Sequence, residues 1–227
     1  VYDLVGADRG AHPSYRAYHT SAELAFHSDS SDVVVLMCMQ QAKSGGGNRL
    51  ASTVAIYNEM LSRRPDLVEE LLKPWYRDRR EEIPPGKDPW WLLPIFNFTD
   101  GYFSAFWSNY YIRSAQRFTT LPRFTERQIE ALDMMDTLAE ELCIDVNLEQ
   151  GDIVFLHNHV VIHARNQYGD WPEPERKRHL LRFWLETPNG RPIPAAVADR
   201  YGALDPGQRH SGIVVADMEV STPLEPE

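Results

Sequence analysis

The amino-acid sequence predicts an α+β protein that is mainly β, built on an antiparallel sandwich or barrel with inserted helices. Three observations support this prediction. Strand-like runs occur towards both ends of the chain, helical patterns lie between them, and 227 residues are enough for one large core but not comfortably for two. We therefore expect a single domain over residues 1–227.

The predicted strands are short apolar runs. The first is DVVVLMCM at residues 32–39, which is typical of a strand buried on both faces or in the middle of a sandwich. A turn-rich loop, QQAKSGGGNRLAS, follows it. The segment PIFNFTDGYFSAFW predicts a hairpin, because Asp100-Gly101 tolerates the positive φ of a tight turn. The last strands are expected in IDVNL, IVFLHNHVVIHAR and HLLRFWLE.

Three helices are predicted between these strands. Apolar residues recur at steps of three and four over residues 53–61 and 66–72, and a proline separates the two runs. The clearest helix covers residues 125–142, where Thr125 and Gln128 have the spacing of a capping box. One face of this helix is expected to carry Ile129, Leu132, Met135, Leu138 and Leu142.

Residues 74–94 contain five prolines and are predicted to form a long loop without regular structure. A loop of this length inside a compact domain is usually functional, so we expect a lid. Its tryptophans, Trp75, Trp90 and Trp91, either close over a substrate and exclude water or fasten the loop to the body.

Composition excludes several classes of protein. The net charge of −10 disfavours nucleic acid and anionic membranes as partners, and no apolar run approaches the roughly 18 to 20 residues that cross a bilayer. Two cysteines do not make a disulfide framework, which favours the cytoplasm. The chain begins with neither Met nor a signal pattern, so we expect that an N-terminal piece is missing. Oligomeric state stays open, and a homo-oligomer is allowed.

A histidine and a carboxylate stand two residues apart in AFHSDSSD, and in an extended chain His27 and Asp29 point to the same side. Downstream, His157, His159 and His163 share one parity in a strand-like stretch. Two imidazoles and one carboxylate form the facial triad that holds Fe(II) with open positions for other ligands. Three alternatives stay open: Asp29 caps a turn, His157 and His159 are ligands in place of His163, or the three later histidines form a zinc site.

Two arginines form a second candidate group. Arg178 and Arg182 stand four apart in RKRHLLRFWLE, 15 and 19 residues after His163. A fixed arginine on a strand pairs bidentately with a carboxylate, and would anchor a dicarboxylate co-substrate. The alternative is that both arginines form ordinary ion pairs on a strand surface.

The aromatic stretch FWSNYYIR is a candidate pocket wall. In a strand, Trp107, Asn109 and Tyr111 share one face, and Arg113 shares the face of Tyr111, where it could meet an anionic substrate. The alternative is that most of these aromatic residues belong to the core.

Four segments together resemble the taurine dioxygenase-like Fe(II)/2-oxoglutarate dioxygenases, a family that includes clavaminate synthase: FHSD, SGGGNRLAS, FLHNHVVIHAR and RHLLRFWLE. The resemblance implies a double-stranded β-helix, or jelly roll, with inserted and flanking helices. It also implies Fe(II) held by His27, Asp29 and His163, because in the family the last ligand follows an Asn by five residues, and Asn158 stands there. Asn158 and His159 are then expected near the pocket.

The resemblance also implies how the co-substrate is bound. Family members hold the far carboxylate of 2-oxoglutarate with the first arginine of the pair, here Arg178, and the second, Arg182, faces substrate or supports the co-substrate. A Thr or Ser in a glycine-rich turn usually assists, and this chain has Asn48 there, whose amide can still donate.

The implied activity is oxidation of a small organic molecule, by default hydroxylation, with dioxygen as oxidant and release of succinate and CO2. Desaturation or ring formation would use the same residues. Two rival hypotheses are a metal-dependent hydrolase or cupin-like isomerase with a histidine-rich site, and a non-catalytic jelly-roll binding protein. The sequence does not name the substrate.

Overall fold

The computed structural model of the chain describes residues 20–201, 204–206 and 208. Within these residues it contains thirteen β-strands and five α-helices, which agrees with the predicted α+β class in which strands predominate. Residues 1–19 lie outside the described part. The expectation that an N-terminal piece is missing concerns that end of the chain and is not tested by the structure.

Seven strands form the two larger sheets, both antiparallel. The four-stranded sheet consists of β1 (Leu24–His27), β4 (Asn48–Ser52), β9 (Ile144–Val146) and β11 (Val161–Arg165), in the spatial order β1-β11-β4-β9. The three-stranded sheet consists of β2 (Val33–Gln40), β10 (Ile153–His157) and β13 (His179–Leu185), in the order β10-β2-β13. The predicted strand at residues 32–39 is therefore confirmed as the central strand of the second sheet.

The other six strands form three antiparallel pairs: β3 (Ser44–Gly45) with β12 (Tyr168–Gly169), β5 (Pro74–Asp78) with β6 (Trp90–Pro94), and β7 (Phe96–Thr99) with β8 (Tyr102–Ala105). The predicted hairpin between β7 and β8 is confirmed. Its turn has φ values of 49° at Asp100 and 79° at Gly101.

The helices are α1 (Thr53–Arg63), α2 (Pro65–Leu71), α3 (Asn109–Ser114), α4 (Glu126–Glu141) and α5 (Ala198–Tyr201). The predictions for α1, α2 and α4 are confirmed, including the reciprocal capping box of Thr125 and Gln128. Ile129 was expected on the buried face of α4 but is 39% exposed, whereas Leu132, Met135 and Leu138 are fully buried. Among the described residues, no helix is both long enough and apolar enough to cross a membrane.

Three local predictions were wrong. Residues 74–94 are not structureless: their two ends pair as β5 and β6, with Arg77 opposite Trp91. Residues 48–52 are not loop but the strand β4, which has a partner on each side. Both segments form strands because a distant or later segment supplies the hydrogen-bonding edge, which a local pattern does not show.

The third wrong prediction is the strand at FWSNYYIR. Ser108 makes an isolated bridge to His27, and the chain then turns into α3. The helix lies against α4, where the Asn109 amide donates to Asp136 and the Arg113 guanidinium contacts Asp133 at 2.5 Å. The helix packs mainly on β5, and two of its side chains also bond with α4.

Two clusters of buried residues position the site. The larger contains side chains of α1, α2 and α4 packed on the four-stranded sheet, among them Ile56, Met60 and Leu132. The smaller joins Val34, Leu36 and Leu156 of the three-stranded sheet to Leu50 and Val161 of the four-stranded sheet. The two sheets therefore pack face to face, and side chains from both point into the space between them.

Candidate functional site

Two histidines and an aspartate meet where the first strand ends. His27 is the last residue of β1 and lies opposite His163 of β11 in the strand register. Asp29 follows two residues later on the loop that leaves β1. One nitrogen or oxygen atom of each side chain lies within 4.8 Å of the other two. In the described part of the chain, no other group of three His, Cys, Asp or Glu side chains has this spacing.

The side-chain atoms of His27, Asp29 and His163 that face one another can act as metal ligands through their lone pairs. His27 Nδ1 lies 2.8 Å from the Ala25 carbonyl oxygen, which only accepts, so in the neutral imidazole Nδ1 carries the proton and Nε2 presents a lone pair. This Nε2 is 3.6 Å from Asp29 Oδ1, and His163 Nε2 is 3.8 Å from Asp29 Oδ2. A bound cation would remove the repulsion between imidazole lone pairs and a carboxylate.

Burial and charge set the protonation states of this group. Burial lowers the pKa of His163 to about 3, with His27 and Arg182 adding to the shift, so the imidazole is neutral at neutral pH. Burial alone would raise the pKa of the Asp29 carboxyl. The positive charge of Arg182 is the largest of the opposing effects, and together with interactions with His163 and His27 and a hydrogen bond from Trp184 it lowers that pKa to about 2. Neutral imidazoles and an ionised carboxylate are the forms that bind a metal.

Arg182 and Trp184 orient the aspartate. Both belong to β13, with alternate residues on the same face, and both contact Asp29 Oδ2: Arg182 Nη1 at 3.3 Å and Trp184 Nε1 at 2.7 Å. The sequence predicted Arg182 beside substrate or co-substrate. The structure places it against the carboxylate of the triad, and this contact ties the two larger sheets together at the site.

Asn158 fixes the loop that carries Asp29. Its Oδ1 accepts from the Asp29 amide at 2.9 Å, and its Nδ2 donates to the carbonyl oxygens of Asp29 and Ser31 at 2.6 and 2.7 Å. The residue is 1% exposed. It was predicted to line the pocket and instead supports the Asp29 loop from within the protein, because the turn after β10 directs it inwards.

His159 and His157 do not join the triad. His159 is buried, and its Nε2 lies 2.8 Å from Asp32 Oδ1, while His157 is exposed on β10. The prediction that both share a strand face with His163 was wrong, because a turn at residues 158–160 separates β10 from β11. His159 was predicted to line the pocket and lies in the interior instead. The three histidines therefore do not form the alternative zinc site.

Arg178 lies in a recess beside the glycine-rich turn. It is 3% exposed, its Nη2 donates to the Gly46 carbonyl at 3.2 Å, and its guanidinium lies 5.1 Å from the Tyr168 ring centre. Its backbone amide donates to Asp170 at 2.8 Å. Burial lowers the pKa of Arg178 to about 10, so it stays charged at neutral pH. Its Nη1 is buried without a hydrogen-bond partner among the described residues.

The glycine-rich turn gives the guanidinium room. Gly46 has φ +75°, and a Cβ there would lie 3.0 Å from Arg178 Nε, so only glycine fits without strain and displacement. Asn48 lines the same recess, where its Nδ2 donates to the Val146 carbonyl at 3.5 Å. The recess thus brings the predicted residues Asn48 and Arg178 together.

Asp29 lines a second recess. Trp107 and Tyr111, two of the predicted pocket residues, line it together with Arg77, Trp91 and Phe106. Trp107 is fully buried, and its amide and carbonyl bond with Ser28, next to Asp29 in the chain. The first turn of α3 and the hairpin β5-β6 therefore form the wall of a cavity whose floor includes the triad carboxylate.

Asn109 and Arg113 lie elsewhere than predicted. Both belong to α3 and bond with each other at 2.8 Å, on the side of the helix that contacts Asp133 and Asp136 of α4. The prediction placed them on a strand face with Trp107 and Tyr111. On a helix, side chains two residues apart point in different directions. Tyr111 therefore lines the recess, and Asn109 and Arg113 do not.

Sequence reasoning missed several residues of these sites, among them Trp184, Arg77 and Phe106. Trp184 shares the parity of Arg182 on β13, and that spacing was a usable signal. Arg77 and Phe106 gave no comparable signal, because they reach the recess only through the pairing of β5 with β6 and through the chain path after β8.

Comparison with known proteins agrees with this arrangement. Residues 2–184 match the family model described as "Taurine catabolism dioxygenase TauD, TfdA family". The chain is 34% identical over 190 residues to FR-33289 synthase of Streptomyces rubellomurinus, an alignment that covers 81% of this chain and 55% of the synthase. It is 35% identical over 166 residues to the taurine hydroxylase-like protein SAT17 of Stachybotrys chartarum, covering 70% of this chain and 41% of that protein.

Solved structures show the same fold. Asparagine oxygenase in complex with Fe(II), 2S,3S-3-hydroxyasparagine and succinate superposes with a TM-score of 0.59 at 20% identity, covering 78% of this chain and 54% of that one. The non-heme iron oxygenase OrfP in complex with Fe and alpha-ketoglutaric acid gives 0.57 at 18% identity, covering 78% and 53%.

The chain spans about half the length of these relatives. The family model nevertheless covers most of the chain, from before β1 to within β13, and includes the triad and both arginines. On these grounds the chain belongs to the TauD, TfdA family of taurine catabolism dioxygenases.

Proposed function

We propose that this protein is an Fe(II)- and 2-oxoglutarate-dependent dioxygenase that hydroxylates a small organic molecule. One observation carries the proposal: ligand atoms of His27, Asp29 and His163 converge within 4.8 Å at the end of β1, with Asp29 ionised and His163 neutral, the forms that suit a metal. Asparagine oxygenase and OrfP, which share the fold, hold iron with succinate or alpha-ketoglutaric acid.

The residues present fit the proposed iron. Two neutral imidazoles and one carboxylate are the donor set of a non-heme Fe(II) site, and they leave coordination positions for other ligands. Arg182 and Trp184 hold the carboxylate in place, and Ala25 fixes the His27 ring. When bound, the iron would supply the redox chemistry in which one atom of dioxygen enters substrate and the other enters succinate as 2-oxoglutarate loses CO2.

The recess around Arg178 fits the far carboxylate of 2-oxoglutarate. A buried guanidinium with an unpartnered Nη1 among the described residues pairs well with a carboxylate, and Asn48 lies beside it. Arg178 would therefore bind and orient the co-substrate, and Gly46 leaves the guanidinium free to do so.

Substrate would bind in the second recess, which Asp29 lines. Trp107 and Tyr111 line this recess, and the hairpin β5-β6 contributes Arg77 and Trp91. We propose that the hairpin is the lid expected from the sequence, with its tryptophan excluding water from the reacting atoms. Residue 77 and residue 111 would then contact substrate from two sides.

We extend the proposal to the whole chain. The two facing sheets would close as a jelly roll, and residues 1–227 would form a single domain. Cys38 and Cys143 are both free thiols, which supports a reducing cytoplasm. With a net charge of −10, the expected partner is a small molecule and neither nucleic acid nor membrane.

An anaerobic titration tests the function. Metal-free protein receives Fe(II) and then 2-oxoglutarate, and the weak visible charge-transfer band of the chelated co-substrate is followed. We expect the band in the wild-type protein, its loss in Asp29→Ala, and a much weaker affinity for 2-oxoglutarate in Arg178→Ala. His157→Ala is the matched control, because His157 is exposed and outside the triad. Iron binding without the band in the wild-type protein would contradict the assignment of 2-oxoglutarate.

A further inference from the structure

The three-stranded sheet presents an apolar surface on the side that faces away from the triad. Val34, Leu36 and Leu156 of this sheet point into the space between the two larger sheets. Since side chains alternate along a strand, the remaining ones lie on the opposite surface, which we call the outer face. In the strand register they form three rows across β10, β2 and β13: Ile153-Met37-Leu181, Phe155-Val35-Phe183 and His157-Val33-Leu185.

Exposed apolar side chains are concentrated on the outer face. In the part of the chain that the structure describes, five of the exposed large apolar side chains share this surface, with exposed fractions from 38% to 65%: Met39, Ile153, Phe155, Phe183 and Leu185. The helices α1, α2 and α4 pack on the four-stranded sheet instead. Single exposed apolar residues are ordinary, but a contiguous patch marks a contact surface.

Charge and shape indicate what covers the outer face. Eight of the nine residues in the three rows are apolar, and the ninth is His157. The rows therefore offer no fixed charge to pair with a charged partner, and the net charge of −10 disfavours an anionic membrane. A second copy of the same face is complementary, because two antiparallel sheets pack face to face through interdigitating apolar side chains.

The area of the outer face suits a weak dimer. A fully exposed large side chain offers roughly 200 Å², so the five exposed side chains present about 500 Å² on each copy. Two copies would then bury about 1,000 Å², which is the lower limit for a specific interface. An apolar interface of this size, opposed by the repulsion between two chains of net charge −10, predicts association in the micromolar range.

We propose that the outer face joins two copies of this chain in a homodimer. Phe155 and Phe183 flank Val35 in the central row, and about a two-fold axis they would pack against the same three residues of the second copy. The inference does not rest on the proposed function. Arg182 and Trp184, which contact Asp29, alternate with Phe183 along β13 and lie on the other side of the sheet.

Sedimentation equilibrium of the whole 227-residue chain is the first test. Over about 1 to 200 µM, the mass should rise from 26.1 kDa towards twice that value, with half-association at roughly 1 to 100 µM. Raising the salt concentration from about 0.05 to 0.5 M should tighten the dimer, because salt screens the repulsion between like-charged copies. A monomer at every concentration, an assembly larger than a dimer, or a dimer that salt weakens would overturn the proposal.

Lysine substitutions locate the interface. Phe155→Lys and Phe183→Lys each lower the net negative charge and so reduce the repulsion between copies. Each should nevertheless weaken the dimer at least about tenfold, because a charge would be buried between the sheets. Phe98→Lys is the matched control: Phe98 is also exposed but lies on β7, outside the outer face, and this variant should associate at least as tightly as the wild-type chain. A dimer that survives both outer-face substitutions would overturn the proposal.

The design keeps the result independent of how the variants fold. The mass of the wild-type chain decides the first arm alone, and urea unfolding shows whether each lysine variant is folded before its mass is compared. Vesicles of neutral phosphatidylcholine test the competing occupant. A monomeric chain that binds these vesicles would show that the outer face meets lipid, and a monomeric chain that does not bind them would leave the face to a further segment of polypeptide; the homodimer is overturned in both cases.

Discussion

The triad and the wall of the neighbouring recess are built in different ways. Strand register fixes the triad: His27 and His163 are partners across β1 and β11, and Asp29 follows His27 by two residues. The wall comes from elements inserted between the strands, the hairpin β5-β6 and the helix α3. The proposed metal ligands are thus set by the sheet that defines the fold, while the residues proposed to face substrate lie on segments that can change without disturbing it.

The largest difference is expected between two variants, each of which replaces one buried histidine by alanine. His163→Ala should weaken Fe(II) binding at least about a hundredfold, because one of three ligands is lost. His159→Ala should keep the affinity for Fe(II) and lower the free energy of unfolding by about 1–3 kcal/mol, since the buried Asp32 loses a partner. Anaerobic calorimetry and urea unfolding measure the two quantities. The opposite pattern would exchange the roles assigned to these histidines.

Removing the support of the Asp29 loop should have the next largest effect. Asn158→Ala deletes three hydrogen bonds to that loop, and we expect a loss of about 3 kcal/mol of stability and roughly tenfold weaker Fe(II) binding. The exposed neighbour serves as control, with His157→Ala changing neither quantity by a measurable amount. Unaltered Fe(II) affinity in a destabilised Asn158→Ala protein would show that the loop keeps its geometry without the amide.

Alanine substitutions at two glycines distinguish the effect of crowding Arg178 from the effect of backbone strain. Gly46 and Gly86 both have φ +75°, but only a Cβ at Gly46 meets Arg178. Each change to alanine should cost about 1 kcal/mol of stability from strain. Gly46→Ala should also weaken 2-oxoglutarate binding about tenfold, with Fe(II) affinity unchanged. Equal 2-oxoglutarate affinity in the two variants, measured by the charge-transfer band, would contradict the position of the co-substrate beside Arg178.

The smallest expected effect concerns one donor to Asp29. Trp184→Phe removes the N–H that lies 2.7 Å from Asp29 Oδ2, and Fe(II) binding should weaken about threefold because Arg182 still holds the carboxylate. Trp75→Phe removes a comparable donor, to the Glu70 carbonyl, and should leave Fe(II) binding unchanged. A drop in Fe(II) affinity in the Trp75 variant as large as in the Trp184 variant would mean that general destabilisation, rather than the lost donor, is measured.

The same contrast explains what the sequence could predict. His27 and Asp29 were readable because an extended chain places residues two apart on one side, and Arg178 and Arg182 because their spacing of four resembles the pattern of a known family. The capping box of α4 and the Asp100-Gly101 turn were readable because both depend on a few adjacent residues. Local chemistry was sufficient in each case.

The wall could not be predicted because its structure depends on distant partners. The proline-rich stretch became β5 and β6 through pairing across an eleven-residue connection, residues 79–89. The stretch after Ser108 is a helix that packs mainly on β5 and bonds with α4, so Tyr111 lines the recess and Asn109 and Arg113 do not. Asn158 and His159 were misplaced because a turn interrupts the alternation of a strand. Long-range contacts outweighed local pattern at each of these positions.

The most direct test of the account is a crystal structure of the protein grown anaerobically with Fe(II) and 2-oxoglutarate, with data collected at the iron absorption edge. We predict one anomalous peak coordinated by His27 Nε2, an Asp29 oxygen and a His163 nitrogen, and the far carboxylate of 2-oxoglutarate against the Arg178 guanidinium. An iron peak outside this triad, or 2-oxoglutarate bound away from Arg178, would contradict the central claim that the meeting of β1 and β11 forms the catalytic centre.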